Sequence, residues 1–97
     1  MRRAAKVDAN QVAIASALRQ IGCSVLHLHT IGRGCPDLLV GRHNCGNILL
    51  EIKDGSLSPS RRRLTEDELR FHGTWLGPIA VVDSIDSAIR AVTGQRG

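Results

Sequence analysis

The segment that most constrains the fold is residues 48–53, in which three apolar residues lead into the alternating Glu51-Ile52-Lys53. A stretch that is apolar on both of its alternating faces predicts a strand buried at the centre of a sheet. The chain has only two aromatic residues, Phe71 and Trp75, so Ala, Val, Ile and Leu must fill the core around that strand. We therefore expect a sheet with helices packed on both of its faces.

Apolar spacing and turn residues predict the remaining elements in the order α-β-β-β-α-β-α, which defines an α/β fold with a mixed sheet flanked by helices. The first helix begins at the cap Asp8 and ends near residue 21, before Gly22. Thr65 and Glu68 match the capping box of the second helix. The residues expected to face inward from the three helices are Ile14, Ala17, Leu18, Ile21, Leu69, Ile85, Ala88, Ile89 and Val92.

Length and composition place the chain among small globular proteins. Its 97 residues predict one domain, 1–97, in which residues 1–7 form a basic N-terminal arm. A net charge of +4 favours a polyanionic partner. Three cysteines without a C-x-x-C pair argue against a disulfide framework or a zinc ribbon, and the cysteines are expected to be small buried residues. The absence of a long apolar run predicts a cytoplasmic protein without a membrane partner.

The residues that carry chemistry are Asp37, after Pro36, and the pair Glu51 and Lys53. A hairpin between strands at 37–40 and 48–53 would bring Asp37 beside Glu51, and Lys53 would project from the same sheet face as Glu51. Two carboxylates, with the backbone carbonyl of Ile52, can hold Mg²⁺, which keeps several waters. Lys53 would orient an attacking water or offset charge on phosphate oxygens. The pattern suits hydrolysis of a phosphodiester.

The same three residues would also fit a solvated salt-bridge cluster on a sheet face. Their surroundings favour a functional cleft, because Glu51 and Lys53 follow a continuous apolar run and unpaired charges are costly there. Both interpretations remain open at this point.

The sequence resembles the VRR-NUC (virus-type replication-repair nuclease) branch of the PD-(D/E)XK nuclease superfamily. The likeness extends from about residue 8 to residue 91 and rests on GCPDLLVG at 34–41, LLEIKDG at 49–55, LTEDELRFH at 64–72, and Trp75. The resemblance implies metal ligands at Asp37 and Glu51, a catalytic Lys53, and Mg²⁺, for which Mn²⁺ can substitute. It also implies a phage or bacterial endonuclease that acts as a homodimer on branched DNA such as four-way (Holliday) junctions.

One position departs from the family pattern. A glutamate is expected on the first helix in a Q-x-E-I-like context, and Ala13 stands there. Three readings are open: an inactivating substitution made for study, a naturally weakened enzyme, or a misaligned helix. Gln11 or Asn10 could partly substitute for the carboxylate. If Ala13 weakens the enzyme, restoring Glu at 13 raises cleavage. A nuclease fold that only binds DNA is the alternative function, and a nicking or restriction-like enzyme that acts as a monomer on duplex DNA is a third.

Several basic residues are candidates for DNA contact. Arg61, Arg62 and Arg63 form a charge run that could bind backbone phosphates or simply be solvated. Arg33 precedes the Pro-Asp pair and could lie near the scissile phosphate or serve as a turn residue. His72 could approach DNA or the active site, as the family resemblance implies, or pack on its helix.

Two other patterns carry little weight. His27 and His29, with His43 and Cys45, could suggest a transition-metal site, but ordinary strand and turn roles are favoured. Gly32-x-Gly34 lacks a third glycine and a Lys-Ser/Thr, so we expect no nucleotide cofactor.

Overall fold

The computed structural model describes residues 9–94, which form one mixed sheet flanked by helices. The fold class and the predicted order α-β-β-β-α-β-α are confirmed. A short 3₁₀ helix at Pro59–Arg62 lies in what was expected to be a loop. The elements are α1 Ala9–Gln20, β1 Ser24–His27, β2 Leu38–Arg42, β3 Gly46–Ile52, α2 Glu66–Thr74, β4 Ile79–Val82 and α3 Ile85–Thr93.

The four strands lie side by side in the order β1-β2-β3-β4. β1 pairs antiparallel with β2, β2 pairs antiparallel with β3, and β3 pairs parallel with β4 across the connection that contains α2. A tight connection joins β2 to β3. Asn44 within it and Gly46, the first residue of β3, take positive φ angles of 63° and 79°. β3 is thus flanked on both sides, as its apolar sequence predicted.

The main core lies between one face of the sheet and the helices α1 and α3, which also contact each other. Its fully buried side chains include Ile14, Leu18 and Leu50. Ile21 and Ile85 were expected to face this core, and that prediction is wrong, because they are 40% and 42% exposed. Ile21 follows the last residue of α1 and Ile85 is the first of α3, so both lie at helix ends with less cover.

The second helix lies over the opposite face of the sheet. Its predicted capping box is present, because Thr65 Oγ1 accepts from Glu68 N at 3.2 Å while Glu68 Oε1 accepts from Thr65 N at 2.8 Å. No residue of α2 is buried, and Leu69 is 57% exposed. The prediction that α2 packs an apolar side inward through Leu69 is therefore wrong. The helix begins with three acidic residues and approaches the sheet through polar contacts instead.

The two aromatic residues form a stacked pair at the end of α2, and the three cysteines differ in their burial. Phe71 and Trp75 stack on each other with ring centroids 5.3 Å apart, and Trp75 is 46% exposed. Cys23 is buried as expected, Cys35 is half-buried, and Cys45 is exposed, so the prediction of buried cysteines is wrong for Cys45.

Two predictions fall outside the described residues: the basic arm at 1–7 and the helix cap at Asp8. Within residues 9–94, no helix is both long enough and apolar enough to cross a membrane.

Candidate active site

The register of the β2–β3 hairpin brings Asp37 to Glu51. Asp37 lies just before β2, and its backbone N donates to Leu50 O at 3.0 Å. Its side-chain Oδ2 accepts from Ile52 N at 2.7 Å, so Asp37 is fixed through its backbone on one side of Glu51 and through its carboxylate on the other. Because Leu38 pairs with Leu50 in the core, Asp37 and Glu51 share the opposite face. The predicted meeting of the two carboxylates is present.

Glu51 is an acid held in a buried position. It is only 3% exposed, and its Oε1 has no hydrogen-bond partner among the described residues. Burial, the nearby Asp37 charge and the Glu68 charge raise the pKa of Glu51 to about 9, against the smaller opposing effect of Lys53. Burial and the neighbouring carboxylate favour the protonated, neutral form of Glu51. A bound cation would instead favour the ionised form.

Lys53 completes the group that the sequence predicted. Its Nζ lies 3.9 Å from Glu51 Oε2 and 2.7 Å from Glu68 Oε1, with only 16% of the side chain exposed. The backbone carbonyl of Lys53 accepts from Asn10 Nδ2 at 3.0 Å, so the start of α1 lies at this end of β3. Asp37, Glu51 and Lys53 therefore converge at one end of the central strand pair.

The helix α2 adds two side chains one turn apart, Glu68 and His72. His72 Nε2 lies 3.9 Å from Glu51 Oε1, and it is buried with no hydrogen-bond partner among the described residues. Burial lowers the pKa of His72, which keeps the imidazole neutral near pH 7. Of the alternatives given for His72, the structure favours the one near the active site, because His72 lies beside the buried Glu51 with 14% of its side chain exposed. Contact of His72 with DNA remains a prediction.

Glu68 was overlooked as a site residue in the sequence. Burial opposes its ionisation, but hydrogen bonds from Lys53 and from the backbone of Thr65 lower the pKa of Glu68 overall. The Thr65–Glu68 spacing explains the residue fully as a helix cap, so nothing in the local pattern suggested a second role. The signal that could have revealed it was the Glu68–His72 spacing, which places two polar groups on one helix face.

The first helix presents a different residue to the sheet from the one expected. Ala13 is exposed, whereas Gln11 is 4% exposed and its Nε2 lies 3.0 Å from His27 Nδ1. The buried side of α1 also carries Ile14 and Leu18, and Ala13 lies about half a turn away from that side. The expected carboxylate position at Ala13 is therefore corrected: helix periodicity points it away from the sheet, and a misaligned helix is the favoured reading.

Two open clefts lie beside Lys53 and beside α2, and neither is lined by Asp37 or Glu51. One of about 300 Å³ is lined by Lys53, Arg62 and Val81, among others, and Arg62 forms an ion pair with Asp83 at 2.7 Å. The other, of about 410 Å³, is lined by five residues, which are Arg33, Asp67, Arg70, Phe71 and Thr74.

The predicted DNA-binding arginines differ in their surroundings. Arg33, Arg61 and Arg63 are exposed, and Arg33 has a positive φ of 58°. Arg62 is half-buried and already engaged with Asp83. Contact of these four residues with DNA remains a prediction.

The donor set suits a hard cation better than zinc. Across residues 9–94, no three His, Cys, Asp or Glu side chains are arranged to hold a metal, which gives the suggested His27, His29, His43 and Cys45 site no support. Mg²⁺ needs only one or two carboxylates because it retains waters. Asp37 and the unpartnered Glu51 Oε1 provide that minimum. A ligand role for the Ile52 carbonyl remains a prediction.

The mixed four-stranded sheet with flanking helices is consistent with a PD-(D/E)XK-like α/β fold. A solved structure described as a "VRR_NUC domain" is similar to the chain, with a TM-score of 0.65 and 24% sequence identity over 89% of this chain and 92% of that one. No family model matches the sequence, and no curated protein matches it. The chain therefore has the fold of a VRR-NUC nuclease domain.

Proposed function

We propose that this protein is a Mg²⁺-dependent DNA endonuclease that hydrolyses phosphodiesters. The observation that carries the proposal is the buried Glu51 beside the half-buried Asp37, with Lys53 3.9 Å from Glu51 at one end of β3. A buried acid whose pKa is raised to about 9 is unfavourable for the fold by itself, which is typical of a functional site. The nuclease-domain fold supports the same conclusion.

Each residue has a role that follows from its place. Asp37 and Glu51 would hold the metal, with the Ile52 carbonyl as a further ligand. A bound Mg²⁺ would polarise a phosphate oxygen and acidify a water. Lys53, 3.9 Å from Glu51, is close enough to that pair to orient the water or to neutralise charge that develops on the phosphate. His72 would limit access of solvent to Glu51 from the side of α2.

Branched DNA is the proposed substrate, and a homodimer is the proposed form. One domain carries one acid-acid-lysine group, so cutting both strands of a junction needs two chains, which a two-fold dimer supplies. Exposed apolar side chains leave surface for such an interface, among them Leu26, Trp75 and Leu76 at 60%, 46% and 101% exposure. We also propose that the protein acts in the cytoplasm of a phage-infected or bacterial cell.

Cleavage assays with matched variants test this function. The protein is incubated with a four-way junction and with linear duplex, in Mg²⁺, in Mn²⁺ and in EDTA, and sedimentation gives its mass in solution. We expect cleavage of the junction in either metal, none in EDTA, and none by Asp37→Asn. Asp86→Asn is the control, because Asp86 is an exposed α3 residue that, within residues 9–94, pairs with Arg90 alone. Absence of cleavage of both DNAs in both metals would refute the endonuclease.

A second candidate function is a nuclease fold that binds DNA without cutting it. The observation that favours it is that α1 turns an amide, Gln11, toward the sheet where a third acid is expected. A pure binding module would keep its affinity for junction DNA in EDTA and cleave in no divalent ion. An enzyme would show cleavage that Asp37→Asn abolishes while binding persists.

A further inference from the structure

The shortest charged contact at the site does not involve either predicted metal ligand. Lys53 Nζ lies 2.7 Å from Glu68 Oε1, but 3.9 Å from Glu51 Oε2. The side chains of Lys53 and Glu68 are only 16% and 18% exposed, so water competes weakly for this hydrogen bond. A shielded, charge-assisted bond at this distance fixes an ammonium group far better than a surface ion pair does. Glu68, and not Glu51, therefore determines where the Lys53 ammonium lies.

The Glu68 carboxylate is itself held in place by the start of α2. The same Oε1 that accepts the hydrogen bond from Lys53 Nζ also accepts from Thr65 N at 2.8 Å, and Glu68 N donates to Thr65 Oγ1 at 3.2 Å. This reciprocal capping box orders the Glu68 side chain whether or not Lys53 is present. The carboxylate is thus a preorganised acceptor, and the flexible four-carbon lysine is the partner that it immobilises.

The same turn of α2 also contacts the loop that leads into Asp37. A Cβ added at Gly34 would lie 2.3 Å from the backbone oxygen of Asp67, so only glycine permits this approach. The first turn of α2 therefore contacts both the loop before Asp37, through Asp67, and the side chain of Lys53, through Glu68.

We propose that Glu68 is a positioning residue for Lys53, which holds the ammonium beside the Asp37–Glu51 pair and couples it to the start of α2. The effect of this positioning on catalysis rests on the proposed nuclease function. The positioning itself is a property of the protein without metal or DNA.

Nitrogen-15 NMR of the lysine ammonium groups tests the positioning in EDTA and without DNA. Lys53→Met identifies the Lys53 signal, which we expect to be visible in the wild type because its hydrogens exchange slowly when bonded. Glu68→Ala should abolish that signal. Glu68→Gln should retain part of it, since glutamine serves in a capping box and still offers an acceptor.

A matched control separates positioning from general helix stability. Ser87 is the corresponding residue of the α3 capping box, where its N donates to Ser84 Oγ at 3.0 Å and its Oγ accepts from Ser84 N at 3.1 Å. Ser87→Ala removes a helix cap without touching Lys53. It should lower Tm as Glu68→Ala does, yet leave the Lys53 signal unchanged.

Kinetics on junction DNA give the catalytic readout. Glu68→Ala should lower kcat at least tenfold with KM unchanged, Glu68→Gln should recover part of the loss, and Ser87→Ala should behave as the wild type. If the wild type cleaves no DNA, the nuclease proposal fails while the NMR result still decides the positioning. A Lys53 signal that persists in Glu68→Ala, or that disappears equally in Ser87→Ala, overturns the inference.

Discussion

The buried acid at the centre of the site predicts an unusual dependence of stability on pH. Glu51 has a folded-state pKa of about 9, above its ordinary value of 4.5, so between these values the folded protein holds a proton that the unfolded chain has released. The free energy of unfolding therefore falls as pH rises through this window. The slope is about 1.4 kcal/mol per pH unit, and the loss between pH 7 and pH 8.5 is thus about 2 kcal/mol.

Urea unfolding in EDTA, followed by far-UV circular dichroism, measures this loss. Glu51→Gln should remove it, because an amide of the same shape carries no titrating proton. His72 contributes a pH dependence of the opposite sign, because its lowered pKa makes the free energy of unfolding rise as pH rises through the ordinary histidine range near pH 6.5. That range lies below the window of pH 7 to 8.5 in which the loss is measured. Cys23, whose thiol pKa is raised mainly by burial, is present in both proteins and cancels in the comparison. The pKa of the Cys35 thiol is raised by burial and also by the charges of Glu51 and Asp37, so Cys35→Ser is introduced into both proteins. Parallel pH dependences for the wild type and Glu51→Gln would refute the buried, protonated acid.

Three further outcomes are expected. Lys53→Met should lower kcat for junction cleavage by about 10²-fold or more with binding of DNA retained, as judged by gel shift in EDTA, in keeping with the loss of a transition-state charge. Gln11→Glu should raise Mg²⁺-dependent cleavage while Ala13→Glu should not, because Gln11 faces the sheet and Ala13 is exposed. A gain from Ala13→Glu and none from Gln11→Glu would instead support position 13 as the site of the missing carboxylate. Gly34→Ala should destabilise the protein in urea unfolding by about 2–4 kcal/mol, since Gly34 has a φ of +78° and packs on Asp67. Gly32→Ala, with the same φ of +78° and no atom within 4 Å of the added Cβ, should cost less, and an equal cost would show that the contact with α2 is unimportant.

Much of the fold follows from local patterns along the chain. The apolar run at 48–50 specified a strand that needs neighbours on both sides, and β3 has them. The Thr65–Glu68 pair specified the start of α2, and the capping box is present. The errors occur where the pattern continues past an element's end, as at Ile21, or where a helix packs through polar contacts, as at Leu69.

The sequence by itself determined the meeting of Asp37, Glu51 and Lys53, because a hairpin register is a local property and alternation fixes which side chains share a face. Only the tertiary structure decided what surrounds them. The packing of α2 over the sheet brings Glu68 to Lys53 and His72 to Glu51. The orientation of α1 about its own axis places Gln11 toward the sheet and Ala13 toward solvent. Those contacts join segments far apart in the chain, so they depend on how whole helices pack and not on any spacing within one element.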